Sequence, residues 1–227
     1  IQAQLRSEHQ DSRLSLGNIT RIDDNAGRKE ARGVGFELAS NAWGALRAAR
    51  GMLITTETPA GTGSVKQLDE TQSRLAQARQ LQEGLASMAV GAGAQDSTAQ
   101  QGAVADAIQR QNTAIKGSGG DFPELSEPHL VLASPAGIEL STAQSIHLAA
   151  SEHVALTSSK HISLASGDSM FASIAKSFSL FVHKAGMKLI AASGKVSIEA
   201  HSDEVEILAR KVLSLISEAD WVNIKGK

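Results

Sequence analysis

Large side chains are scarce in this sequence. Its 227 residues hold five Phe, two Trp and no Tyr, and Ala supplies much of the 41% hydrophobic fraction. One chain has little with which to build a sizeable core. That favours a repetitive or oligomeric structure in which neighbours supply the missing contacts. Cysteine is absent, which excludes a disulfide framework and a thiolate metal site. The formal net charge is −2, and a balance so near zero gives no reason to expect nucleic acid or a membrane surface as partner. No apolar run reaches the roughly 18 residues of a membrane-spanning helix. Neither end resembles a secretory signal peptide. Ile1 is not a natural start, so the stretch reads as the inside of a longer protein, one or two domains in length.

What the chain does have is a beat. Apolar pairs separated by one residue return every eight positions: Leu130/Leu132, Ile138/Leu140, Ile146/Leu148, Val154/Leu156, Ile162/Leu164, Met170/Ala172 and Phe178/Leu180. The interval then loosens to about nine through Met187/Leu189, Val196/Ile198, Val205/Ile207, Leu213/Leu215 and Val222/Ile224. Residues at i and i+2 share one face of a strand, and the small polar spacers turn the chain before the next one. A repeat of this kind dictates architecture before chemistry. The same interval links Phe36/Leu38, Gly44/Leu46 and Met52/Ile54.

Other stretches carry different signals. Leu14-Ser15-Leu16 reads as a short strand with a break at Gly17, and Arg21 to Glu30 as a solvated loop. Gly33-Val34-Gly35 lacks the third Gly, the Lys-Ser/Thr pair and the following helix of a phosphate-binding loop. Trp43 is expected at a corner of the strand repeat. From Ser64 to Val90, Leu68, Leu75, Ala78, Leu81, Leu85 and Met88 fall at spacings of three, four or seven, the pattern of an amphipathic helix. Val104, Ile108 and Ile115 mark a second helix, ended by Gly117-Ser118-Gly119-Gly120. The expected division is a strand block at 1–63, an inserted helical hairpin at 64–120 and an octad-repeat shaft at 121–227.

Eight residues are enough for one short strand and one corner. Backbone groups on both strand edges need partners, and two arrangements supply them. Three octads of one chain can form one coil of a single-chain β-solenoid. Alternatively, three chains wind round one another, each giving one strand per layer. The shortage of aromatics, the lack of a three-octad super-period and the helical insertion between matching repeats favour the second. The expected fold is therefore mainly β, an intertwined trimeric β-helix or β-prism carrying a helical hairpin. Its axis is assigned to Phe36, Leu38, Ile138, Leu140, Ile146, Leu148, Val154, Leu156, Ile162, Leu164, Phe178, Leu180, Val196 and Ile198. Eleven or twelve layers at about 4.8 Å each make a rod on the order of 50 Å long.

The segments LSLGNI, GFELASNAWGALRAARGMLIT, EPHLVLASPAGIELST and GKVSIEAHSDEVEILA resemble the C-terminal region of VgrG proteins, the spikes of bacterial type VI secretion systems. The likeness covers nearly the whole chain. It implies a homotrimer whose full-length base sits on the tube of Hcp rings and whose tip is sharpened by a PAAR-repeat protein. It also implies toxic effectors fused to or docked on the spike. Assembly would take place in the bacterial cytoplasm, with translocation through the membranes of a target cell.

Chemistry is thin on the ground. His153 and His161 stand one octad apart but opposite the apolar pair, where solvent is expected. No Gly-x-Ser-x-Gly elbow or HExxH string occurs, and strand alternation splits the acidic group between faces, Asp203 on one and Glu204 and Glu206 on the other. No catalytic, cofactor or metal residue is assigned, and the expectation is a structural protein. The competing class is a polysaccharide-cleaving solenoid, which would be a monomer with charged residues laddered on one face. A tail-fibre or adhesin stalk is a third reading. The repeat is still running at Lys227, which leaves room for an effector domain beyond it.

Overall fold

Residues 12–20 alternate Leu14 and Leu16 with Arg13, Ser15 and Gly17, the two-residue period of a strand with unlike faces. The computed structural model of the chain describes residues 1–22, 27–58, 67–95, 98–116 and 125–226, with the side chains of 98–100 excepted. In it this segment is β2 (Ser12–Thr20), flanked by β1 (Gln2–Ser7) and β3 (Ala31–Ala39) in an antiparallel sheet of order β1-β2-β3. The strand runs straight through Gly17, and the one irregularity in its pairing with β3 falls at Ile19/Thr20. Register sets Leu5 beside Leu14 and Leu14 beside Leu38, with Ala3, Leu16 and Phe36 in the next row of that face. On the opposite face Ser15 is wholly buried and accepts a hydrogen bond from Gln4 Nε2 at 3.2 Å. β1 is not predicted by the sequence, because Leu5 is its single strong apolar residue.

The loop expected at 21–30 closes the β2–β3 connection, with Arg21 N–H donating to the Glu30 carbonyl at 2.9 Å. Its centre at 23–26 lies outside the described residues, as do Pro59, Gly61, Gly63, the terminator at 117–120 and the Phe122-Pro123 lead-in. Trp43, expected at a packed corner, is fully exposed within the single chain.

After β3 the chain reaches β4 (Met52–Thr55), then two helices, α1 (Asp69–Gly91) and α2 (Thr98–Lys116), then β5 (Leu130–Ala133). Gln, Arg, Glu, Ala and Leu dominate α1, all good helix formers. Its end is set by Gly93 in the left-handed region (φ 70°), with Ala92 N–H donating to Met88 O at 3.0 Å and Gly93 N–H to Val90 O at 2.9 Å. Glycine tolerates that conformation without a Cβ penalty.

The hairpin returns the chain to where it left. β5 pairs with β4 in parallel, Met52 beside Leu130 and Ile54 beside Leu132. Gly51 makes the close approach possible at φ 109°, since a Cβ there would lie 2.9 Å from His129 O and 2.4 Å from Leu125 Cδ1. Alternation along β5 is sharp: Val131 and Ala133 are 7% and 8% exposed, while Leu130 and Leu132 are 64% and 49% exposed. The buried face joins Leu68, Ile115 and Leu125, with Leu53 and Leu75 packed around them. This cluster is the apolar core of the hairpin and β4–β5.

The described chain divides into two units, Ile1–Phe181 and Val182–Lys227. Beyond Ala133 the first unit continues in octads, each with two bent residues and then six that belong to no ladder. The second unit has the same character through 226. Among the described residues, β4–β5 is the sole parallel pairing.

Candidate functional site

Each octad needs a corner, and in four of them a short hydroxyl side chain braces it. Ser134 Oγ accepts from Ala136 N–H at 3.2 Å, Thr142 Oγ1 from Gln144 N–H at 3.2 Å, Ser158 Oγ from Lys160 N–H at 3.3 Å and Ser166 Oγ from Asp168 N–H at 3.4 Å. In each case the hydroxyl sits two residues after the second member of an apolar pair. This is the turn in which a Ser or Thr side chain mimics a backbone carbonyl. Ser158 and Ser166 also donate to the carbonyls of His161 and Ser169, at 3.1 and 3.2 Å. Ser40, two residues after Leu38, makes the same contact with Ala42 N–H at 3.1 Å. From Ser134 to Ser166 the sequence displays these hydroxyls at multiples of eight, with Ala150 interrupting the series, and reading them as generic spacers misses their role.

The corners hold the apolar pairs out in the open. From Ile138 to Leu164 the eight assigned residues are between 54% and 71% exposed. Phe178 and Leu180 are open likewise, and in the second unit so are Val196 and Ile198. Phe36 and Leu38 belong to a different setting. They stand on the apolar face of β3 beside Leu16 and Leu14, also exposed. Burying a side chain of this size stabilises by about 1.5–3 kcal/mol, and soluble monomers rarely leave large contiguous apolar surfaces in water. A repeated row of open apolar pairs on strands without ladder partners is therefore an interaction surface.

The other side of the octads faces the hairpin. Val131 and Ala133 pack on it directly. His153, Ala155 and Thr157 line a groove of about 600 Å³ whose far wall is Leu75, Ala78, Val104, Ile108 and Ile115, while Val154 and Leu156 point away. Thr157 Oγ1 donates to Gln82 Oε1 at 3.3 Å, and Ser179 Oγ donates to the Ala94 carbonyl at 2.6 Å. Val131, Ala155 and Ser179 are successive contacts of the hairpin, and they stand 24 residues apart. The chain thus comes back to the hairpin's side once every three octads. His153, expected to face solvent, is exposed but borders this groove.

Charged groups fasten the hairpin and brace the sheet. Glu57, just after β4, accepts from Thr71 Oγ1 at 2.9 Å and pairs with Arg74 of α1. The Arg74 guanidinium above all, helped by the Thr71 hydroxyl, holds the Glu57 carboxyl below its ordinary value against the opposing effect of burial. In the sheet, Arg32 and Arg13 likewise depress Glu37. Among the described residues no group of three or more His, Asp or Glu could hold a metal ion. No described helix is long and apolar enough to cross a membrane.

Comparison with known proteins agrees with this geometry. Residues 1–89 match the family model of the type VI secretion system Rhs element Vgr, and residues 117–227 match one described as an uncharacterized protein conserved in bacteria (DUF2345). Two Pseudomonas aeruginosa proteins, type VI secretion system spike proteins VgrG2b and VgrG2a, are each 28% identical over 217 residues. The match takes in 93% of this chain but only 21% and 25% of theirs, so the chain spans a quarter or less of those relatives. Among solved structures, the VgrG spike from the type 6 secretion system superposes with a TM-score of 0.85 at 28% identity, over all of this chain and 80% of that one. The VgrG spike bound to the Tle1 effector gives 0.84 at the same identity, over all of this chain and 65% of that one.

Proposed function

The chain belongs to the VgrG family of type VI secretion spike proteins, and we propose that it forms the shaft of such a spike as three intertwined copies. One observation carries the reading. The octads of a single chain that lie under the hairpin, at Val131, Ala155 and Ser179, are not hydrogen-bonded to one another. From Leu75 to Gly91, α1 climbs about 24 Å at about 1.5 Å per residue. Over that climb the chain makes two circuits. Stacked as neighbours in one coil, strands about 4.8 Å apart would advance only about 10 Å; with two foreign strands between each pair they advance about 29 Å. The helix supports the second spacing. Three chains wound together also give every octad edge a partner and bring the open apolar pairs to a common axis.

In this reading the three segments are an N-terminal strand block (1–63), a helical insertion (64–120) and the shaft (121–227). The shaft transmits force as the apparatus contracts, pierces the target membrane, and carries effectors with it. A spike of this family has been solved with the Tle1 effector bound, which supports cargo carriage as a property of such spikes. Docking on an Hcp tube, a PAAR-type cap and passage from the cytoplasm into a target cell rest on family membership alone. The role is mechanical, without a reaction assigned to it.

Mass in solution tests the proposal. The chain is 23.7 kDa, and light scattering is expected to return three times that value. A single-chain mass would overturn the shaft and revive the solenoid reading, which predicts a monomer.

A further inference from the structure

The hairpin covers more strand positions than its own chain occupies. Thr157 is held by Gln82 and Ser179 by Ala94, and the stretch of α1 from Gln82 to Gly91 climbs about 14 Å at about 1.5 Å per residue, room for two further strands at about 4.8 Å each. Leu85 and Met88 belong to this stretch of α1 and are 45% and 41% exposed. The occupant follows from the winding, so the inference rests on the three-chain reading above. Symmetry-related chains have equal octads at equal heights, and each chain moves one face per octad. Strands on any one face therefore follow in octad order and come from the three chains in turn. Between 155 and 179 these are the strands centred on Ser163 and Phe171, each from a different neighbour.

Phe171 does not suit a solvent-facing position. It is the middle residue of its octad, on the side away from the axis, and is 88% exposed within its own chain. The equivalent residues at 139, 147, 155, 163 and 179 are Glu, His, Ala, Ser and Ser. The other large apolar residue at this position, Val131, is buried under its own hairpin. Counting about 1.5 Å per residue down α1 from Gln82 brings Met88 to about 9 Å, the height of the second foreign strand at about 4.8 Å per strand. We infer that the hairpin is a clasp between subunits, with Phe171 of a second copy seated against Leu85 and Met88 of α1. A methionine thioether beside an aromatic ring is a favourable pair.

The chain has no cysteine, so disulfide trapping tests the clasp cleanly. A Met88→Cys/Phe171→Cys variant, oxidised and run on a denaturing gel without reductant, is expected to yield covalent species of three chains, because each chain bonds to a neighbour on both sides. A particle of trimer mass that gives only single chains on that gel overturns the clasp and leaves the shaft standing. A single-chain mass in solution overturns the shaft itself. Amide exchange gives an independent reading. Phe171→Asp is expected to speed exchange across 83–91 of α1, at least eighty residues away in sequence, while Phe171→Leu leaves it slow. Equal protection in both variants overturns the inference.

Discussion

Thr157 donates a hydrogen bond to Gln82 across 75 residues of sequence, at 3.3 Å. It ties the outward side of one octad to the hairpin while Leu156, one residue earlier, remains 71% exposed on the other side. The two neighbours define the shaft's division of labour. Even-numbered residues of this strand are left open, and odd-numbered ones meet the hairpin.

The axis assignment is tested by charge. Replacing Ile146 or Ile162 with Asp sets three carboxylates at one level of a threefold axis, where desolvation costs several kcal/mol per ion. The variant is expected to lose assembly, read as a fall to single-chain mass. A trimer with unchanged melting would show that these pairs do not face inward.

The corner hydroxyls are tested by deletion. Ser158→Ala and Ser166→Ala each remove a bond to a backbone N–H, at a cost of about 0.5–1.5 kcal/mol per bond, and the loss recurs in every subunit. Thermal melting of the trimer should fall for Ala, whereas Thr, which keeps the hydroxyl, should hold near the parent value.

Gly51 is a point of backbone contact. Gly51→Ala forces a Cβ against His129 O in a conformation with φ of 109°, a strain of order 1–3 kcal/mol. The denaturation midpoint is expected to drop, and Leu125→Ala in the same chain should not restore it, because the carbonyl contact and the backbone strain remain.

Acid should loosen the hairpin. The Glu57 carboxyl is held below its ordinary value of 4.5 by Arg74 and Thr71, so the folded state favours the ionised form. Its stabilisation is complete above the unfolded value and is lost as pH falls through the lowered folded value. Stability measured downward from pH 4.5 should decline less steeply in Glu57→Gln than in the parent. Identical slopes would remove Glu57 from the account.

The insertion itself is removable in principle. A chain with 64–120 replaced by a short flexible linker is expected to keep the trimer mass but melt earlier, having lost both the cluster at Val131 and the clasp. If no trimer forms, the hairpin is required for assembly and the division into shaft and insertion fails.

The octad pairs are legible in the sequence because a period of two within each strand and of eight between strands leaves Ile146 and Ile162 in equivalent positions. The hairpin is legible because Leu68, Leu75 and Leu81 recur at helical intervals. Phe36 and Leu38 carry the same i, i+2 signature but sit on an ordinary antiparallel strand, since that spacing marks any strand with one apolar face. The 24-residue return to the hairpin cannot be seen in residue types. Val131, Ala155 and Ser179 share no chemistry, and in the proposed winding the period arises from its three sides.

A repeat of near-identical units has no built-in zero. Sliding one chain past another by eight residues still matches Ile138 with Ile146 and Leu140 with Leu148, so those rows are blind to such an error. The pairing of Met52 with Leu130 is not, because it lies within one chain, across that chain's own hairpin. If three chains wind together as proposed, it works as the bottom stop of a zip: three strands that begin from the same mark can close only in step.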